Sequence, residues 1–358
     1  MSRSHVARIT LGAALAASLA FSALPAALAA SSTGWRIVYR HGTTGTFSSY
    51  RAIAVSGAGH AWAAGGTGVA GYGSPVVAYW HNRKWSQSLM PRKAIGTVMA
   101  ISADSASDAW AVTAGDVLHW HAGKWIVART WNLSEGPPGP LKTGITAFSP
   151  TNVWVFGGGS NGLGTFRLAR GKWTKVTGPG RDIFKASAAS ATDMWAIGGA
   201  TAGSILRYAS GTWRRVSDPK LSGLEFGSIF ASSPTSVWVT ASVSGGPTGF
   251  RLLHLNRNQW TAYPIPWSMS ISTFGADGLP LGSISPDGHG GFWISTDNFS
   301  GPAWMLHFSG GRWSRVRIGS NPIVSTALIP GTRSLWGTGS IQRARNSDAV
   351  VWAYGTRK

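Results

Sequence analysis

This 358-residue chain contains no cysteine. It therefore forms no disulfide, carries no thioether-linked lipid anchor and attaches no heme through a Cys pair, so its stability rests on burial and hydrogen bonding. Acidic residues are scarce too: 12 Asp and Glu stand against 32 Lys and Arg, a net charge of +20. Glu135 and Glu225 are the only glutamates, which leaves little material for an acid–base carboxylate pair. Charged residues make up 12% of the chain while hydrophobic ones reach 43%, a balance unlike that of a disordered basic tail. After the N-terminal segment no apolar run approaches the length of a membrane span.

That segment, residues 1–29, reads as a secretory signal peptide. Arg3, His5 and Arg8 form a basic start, Ile9 to Leu24 an apolar middle, and Ala27-Leu28-Ala29 a small-x-small cleavage site. Ser18, Ser22 and Pro25 interrupt the apolar stretch, so cleavage is favoured over an uncleaved anchor. No twin-arginine pair precedes it, which points to general secretion. Residues 30–358 are expected to be exported, monomeric and without a transmembrane segment, with 30 basic residues against 12 acidic ones.

What the chain has in quantity is tryptophan, 20 in all, beside 48 glycines. Fourteen of the tryptophans fall into two registers that each recur seven times. Trp62, Trp110, Trp154, Trp195, Trp238, Trp293 and Trp336 each end a short apolar strand signal; Trp35, Trp85, Trp125, Trp173, Trp213, Trp260 and Trp313 each follow a turn. A period of roughly 40–50 residues with strand signals and one aromatic motif per unit marks a β-propeller. Before the second register runs an apolar–polar–apolar strand, for example Leu118-His119-Trp120 and Leu206-Arg207-Tyr208, and then a turn carrying Gly123, Gly171, Gly211 or Gly311. The last unit has Trp352 and Tyr354 in this third-strand register, whereas Thr33 to Tyr39 reads as an outer strand with no third strand before it. An all-β, seven-bladed propeller follows, its N-terminal strand closing the last blade. Both tryptophan registers are expected to be structural, packed between blades.

In the third unit Trp154-Val155-Phe156-Gly157-Gly158-Gly159, Phe166 and Gly171-Lys172-Trp173 resemble a kelch or galactose-oxidase-type blade. The whole of 30–358 resembles secreted bacterial propellers with repeats of the form Ser-x-x-Asp-Val-Trp-Ala-x-Gly followed by Gly-x-Trp. Double glycines recur at Gly65-Gly66 and Gly198-Gly199, while the second, sixth and seventh units depart from the pattern. The resemblance implies a fold and permits many functions. Copper-radical chemistry of the galactose-oxidase kind needs a Cys–Tyr crosslink and is excluded. Sialidase-type Asp-boxes have a different spacing.

Function on such a disc is expected at the loops after the second and fourth strands. Two of the latter are long, 128–143 and 262–281, and carry Trp131 and Trp267 outside both registers, with Lys142 and Asp277 beside them. These four residues are the expected ligand contacts, the alternative being loops that bury their own tryptophans. Glu135 and Glu225 enter inner strands on the same face and are the weak catalytic candidates for an extracellular glycan or lactone hydrolase or lyase. His119 and His121 share one strand face, but with Asp116 the only carboxylate nearby in sequence, no metal site is expected. There is no phosphate loop, no serine nucleophile elbow and no calcium loop around Asp287-Gly288-His289-Gly290, so no cofactor is expected.

More than half of the 30 basic residues lie in third–fourth turns or outer strands, among them Arg83, Lys84, Lys124, Arg170, Lys172, Arg214, Arg215, Arg312, Arg315 and Arg317. Such a rim attracts polyanions or keeps edge strands from pairing with other chains. The leading expectation is a secreted, non-catalytic binding or scaffold propeller at the cell envelope. Its expected ligand is an anionic cell-wall polymer or glycan, and a protein-interaction hub is a further alternative. No groove-reading element is present, which excludes sequence-specific nucleic-acid recognition.

Overall fold

Each blade follows from one short pattern: four antiparallel strands, an aromatic in the second, an alternating third, and a basic outer edge. The computed structural model describes residues 34–42, 45–68, 73–131, 142–157, 164–199, 203–243, 249–267, 281–296 and 303–355. Residues 1–29, Glu135, Asp277 and the Lys142 side chain lie outside that set. Six blades occupy 48–88, 100–130, 142–175, 183–215, 224–264 and 281–319, each a four-stranded antiparallel sheet in sequence order. The seventh takes three strands from 323–354 and its outer strand, Arg36–His41, from the start of the propeller. That strand pairs antiparallel with Ser347–Tyr354, Arg36 opposite Ala353 and His41 opposite Ala349. The chain is thus a seven-bladed β-propeller. No helix among the described residues is long and apolar enough to cross a membrane.

All seven first-register tryptophans are buried, from Trp62 at 0% exposure to Trp238 and Trp336 at 8%. Five of them meet the second-register tryptophan of the next blade edge-on: Trp110–Trp173, Trp154–Trp213, Trp195–Trp260, Trp293–Trp35 and Trp336–Trp85. Their centroids are 5.4–6.5 Å apart at 73–88°. This is the arrangement an aromatic quadrupole favours. At the other two seams Trp62 meets Trp120 at 6.4 Å and Trp238 meets Phe308 at 5.9 Å. Nearer the axis, hydroxyls tie inner strands together: Ser102 accepts the Ala147 amide at 3.0 Å and Ser187 the Ala231 amide at 2.9 Å.

In the second to sixth blades the polar residue of the third strand is not simply solvated. The register sets it opposite the first-register tryptophan of its own blade, and it covers that ring. His119 stacks on Trp110 at 3.8 Å, His254 on Trp238 at 3.7 Å and His307 on Trp293 at 4.4 Å. Arg167 and Arg207 lie over Trp154 and Trp195 at 5.1 and 5.0 Å. Close approach explains the double glycine of the first blade: a side chain at Gly65 would collide with the Ser49 carbonyl, and one at Gly66 with Thr97.

Antiparallel order puts the first–second and third–fourth turns at one end of every blade, and the remaining connections at the other. The described residues include every first–second turn and all six third–fourth hairpins. Truncating a seam tryptophan should be costly. Trp154→Ala is expected to lower unfolding free energy by about 3–5 kcal/mol. Lys172→Ala, on an exposed outer strand, should stay within about 0.5 kcal/mol. Urea titration measures both; equal effects would contradict the seam's role.

Candidate functional site

The third and fourth strands of the first six blades are joined by two-residue hairpins with positive φ at both central positions, from Asn82 (51°) and Arg83 (62°) to Gly310 (56°) and Gly311 (75°). These are the mirror-image turns that match strand twist. In the seventh blade the same two strands lie far apart in sequence, and among the described residues no hairpin joins them. There, across the sixth, seventh and first blades, lies a trough of about 1590 Å³.

Four cationic side chains line it: Arg36 from the seventh blade's outer strand, Arg83 and Lys84 from the first blade's hairpin, and Arg333 from the seventh blade's first–second turn. Its apolar walls are Trp80, Trp85, Trp336, Tyr39 and Tyr354, of which Trp80 and the two tyrosines are partly exposed. Arg36 donates to the Gly355 carbonyl at 2.9 Å, which aims its guanidinium across the gap. Arg83 occupies the second position of its turn, where four of the other five hairpins use glycine. A bulky side chain held at positive φ costs about 1–2 kcal/mol and is retained where the side chain has a use.

One carboxylate, Asp287, stands among the described lining residues and offsets only part of this charge. Burial would raise the Asp287 carboxyl, yet hydrogen bonds from His307 (2.8 Å) and the His289 (2.7 Å) and Gly291 (2.9 Å) amides hold it below its ordinary value. It is spent on its own corner. Burial raises Tyr39 against a bond to Tyr50 that lowers it, and burial together with the Asp287 charge raises Tyr354, so both phenols stay neutral. His60 is lowered by burial and then by the His81 charge, and its Nδ1 pairs with the Tyr79 hydroxyl at 2.6 Å. The arrangement is an electropositive, aromatic-walled groove, suited to holding an anion rather than to acid–base chemistry.

The residues expected from sequence are distributed differently. Trp131 is 6% exposed, packed on Phe166 and Trp173 of the third blade with Arg129 over its ring at 4.9 Å. Trp267 sits by Trp313 of the sixth blade at 6.5 Å, and Arg315 is stacked between Trp267 (4.9 Å) and Trp304 (4.3 Å). The structure thus brings Trp267 and Arg315 together and leaves Trp131 at another seam. Both tryptophans clamp the chain onto the following blade as it leaves an outer strand. Glu225 is half-buried on an inner strand opposite Ser242, without Glu135 described beside it.

The ten rim cations Arg83, Lys84, Lys124, Arg170, Lys172, Arg214, Arg215, Arg312, Arg315 and Arg317 are all exposed. Ion pairs among the described residues include His119–Asp108, Arg181–Asp182, Arg207–Asp193, His307–Asp287 and Arg343–Asp348. Asp116, the carboxylate nearest His119 in sequence, is turned elsewhere, onto the Ile95 amide (2.9 Å) and the Thr130 hydroxyl (2.7 Å). The partner of His119 is Asp108 instead. Its Ser-x-x-Asp corner, set opposite the third strand by the hairpin register, was the signal that could have found it.

No protein-family model matches this chain, and no curated protein matches it. Solved structures do. YCF48 bound to D1 peptide superposes with a TM-score of 0.60 at 11% identity, over 90% of this chain and 97% of that one. The RRP9 WD40 repeats give 0.60 at 10%, over 89% and 97%. The extracellular domain of the putative hybrid two component system BT4673 from B. thetaiotaomicron gives 0.58 at 12%, over 91% of this chain and 43% of that one. At these identities the likeness is one of fold.

Acid should weaken the fold. Burial lowers His41, His60 and His254 from the ordinary 6.5, against the Asp348 charge in the case of His41 and with that of His81 in the case of His60. Each binds a proton less readily folded than unfolded, so no stability is lost above 6.5 and some is lost as pH falls through it. Asp287, lowered from 3.8, adds a second loss as pH falls through its own depressed value. The expected Tm is level from about pH 7 to 8 and declines below about 6.5, less steeply in His254→Gln. A Tm that rises on acidification would contradict this.

Proposed function

We propose that this chain is a secreted, monomeric, non-catalytic binding propeller of the cell envelope, its 30–358 domain released by removal of 1–29. Its ligand is an anionic cell-wall polymer or glycan. The observation that carries the reading is the trough in which Arg36, Arg83, Lys84 and Arg333 converge beside Trp80, Tyr39 and Tyr354. Sugars stack on aromatic faces while carboxylate or phosphate groups pair with guanidinium forks. The exposed rim lends a long-range, salt-sensitive attraction that gathers polymer toward the disc. The kelch-type glycines belong to the same reading as architecture, since Gly65 and Gly66 serve packing. An extracellular domain of a bacterial sensor system with this fold supports the setting.

A protein partner is the second reading, favoured by one observation: the similar YCF48 propeller is bound to a peptide. The two separate in a pulldown on purified cell-wall sacculi, with and without their anionic polymers, over a salt series. Retention should require the polymer and fade by about 1 M salt, where the screening length is about 3 Å. Arg83→Gly sharpens the test, because glycine suits that turn: the fold should persist, as thermal unfolding reads it, while retention falls. Retention that ignores both salt and polymer would overturn the polyanion reading and send the search to protein partners.

A further inference from the structure

In the second blade His119 and His121 project from one face of the strand Asp116–His121, and the register places Asp108 directly opposite His121. One donor atom from each of these three residues lies within 4.8 Å of the others. Asp108 is 3% exposed; its Oδ2 meets His119 Nε2 at 2.6 Å and its Oδ1 accepts from Trp110 Nε1 at 2.9 Å. The Trp110 ring stacks on His119 at 3.8 Å, so two donors are held from behind. His121 is exposed, its ring 5.5 Å from that of His119. Asp104, on the strand Ala100–Ser105, hydrogen-bonds Asp108.

Comparison with the other blades separates what the corner needs from what this one adds. Asp193–Arg207 repeats the aspartate and its third-strand partner, and Asp287 makes the same kind of contact to His307 from the position of Asp104. In those blades Ala209 and Ser309 stand where His121 does; the fourth blade has Ala189 where Asp104 stands, and the sixth has Gly291 where Asp108 stands, so each carries one carboxylate at the corner. The corner therefore forms without a second imidazole or a second carboxylate. The second blade has both, in a chain with only 12 acidic residues and nine histidines.

We propose that Asp108, His119 and His121 bind a divalent transition-metal ion of the zinc class, with Asp104 acting on the site through its hydrogen bond to Asp108. Imidazole and carboxylate ligands reach zinc at about 2.0–2.2 Å. Donors no more than 4.8 Å apart converge on a common ion after rotation of the exposed His121 and a slight opening of the Asp108–His119 contact. Two imidazoles with a carboxylate suit zinc, nickel or copper; calcium and magnesium prefer all-oxygen sets. The Trp110 contacts orient Asp108 and His119 as outer partners orient metal ligands. Bound there, the ion would join the first–second corner to the third strand at the turn face.

The test is calorimetric titration of the untagged propeller with Zn²⁺, with Co²⁺ absorption reporting a tetrahedral site. One equivalent should bind, and zinc excess should raise Tm by mass action. His121→Ala should weaken affinity by at least about 10-fold, and Asp104→Asn should weaken it by a smaller factor. Both side chains are exposed, so the fold should survive their loss; retained far-UV signal and Tm without metal establish that. His81→Ala, in the stacked pair on the first blade, should leave the affinity unchanged. Absence of a one-equivalent site would overturn the proposal, as would a His121→Ala protein that binds like the parent or a His81→Ala protein that does not bind.

Discussion

The edge-on contact of a tryptophan in one blade with an aromatic ring of the next is the interaction on which the rest of this structure depends. Without a cysteine in the chain, the seams must be held by packing, and each seam buries a large ring against another whose partial charges complement it. The polar third-strand residues belong to the same device. By lying flat on the tryptophan of their own blade, His119, His254 and His307 cap the face that the neighbouring blade leaves uncovered. A propeller built this way leaves little of its aromatic content for ligands.

The turn face inherits its character from that arrangement. Corner aspartates are spent on the third-strand partners that cover the tryptophans, as with Asp193 on Arg207 and Asp287 on His307, and so cannot neutralise the outer edge. The outer strands are left with exposed lysines and arginines of one sign. Where the seventh blade pairs Arg36–His41 with Ser347–Tyr354 no hairpin joins the two strands, and the trough beside them is lined by Arg36 and Lys84 of outer strands and by Arg83 and Arg333 of turns. The electropositive groove is thus a product of ring closure and charge bookkeeping at the corners, with no dedicated loop required.

Repetition made the architecture legible in the sequence. Seven recurrences of each tryptophan register, an alternating third strand and the glycine turns specify four strands per blade and seven blades, as observed. Individual side chains were harder to read. Trp131 and Trp267 lie outside both registers, and nothing in the repeat told that their rings pack against the next blade where the chain leaves an outer strand. Along the chain Asp116 is the carboxylate nearest His119, whereas the antiparallel hairpin brings Asp108, 11 residues away, to its ring. The trough left no motif at all, because it arises from a turn that is missing and from corners of three blades that meet only in the fold.

Hydrogen exchange of the propeller with and without a soluble anionic wall polymer tests the account most directly, since it reports where on the disc the polymer rests. Protection is predicted at 82–85, 331–336 and 353–355, the three segments that frame the trough. Protection confined to the connections at the opposite end of the blades, with those three segments unchanged, would contradict it.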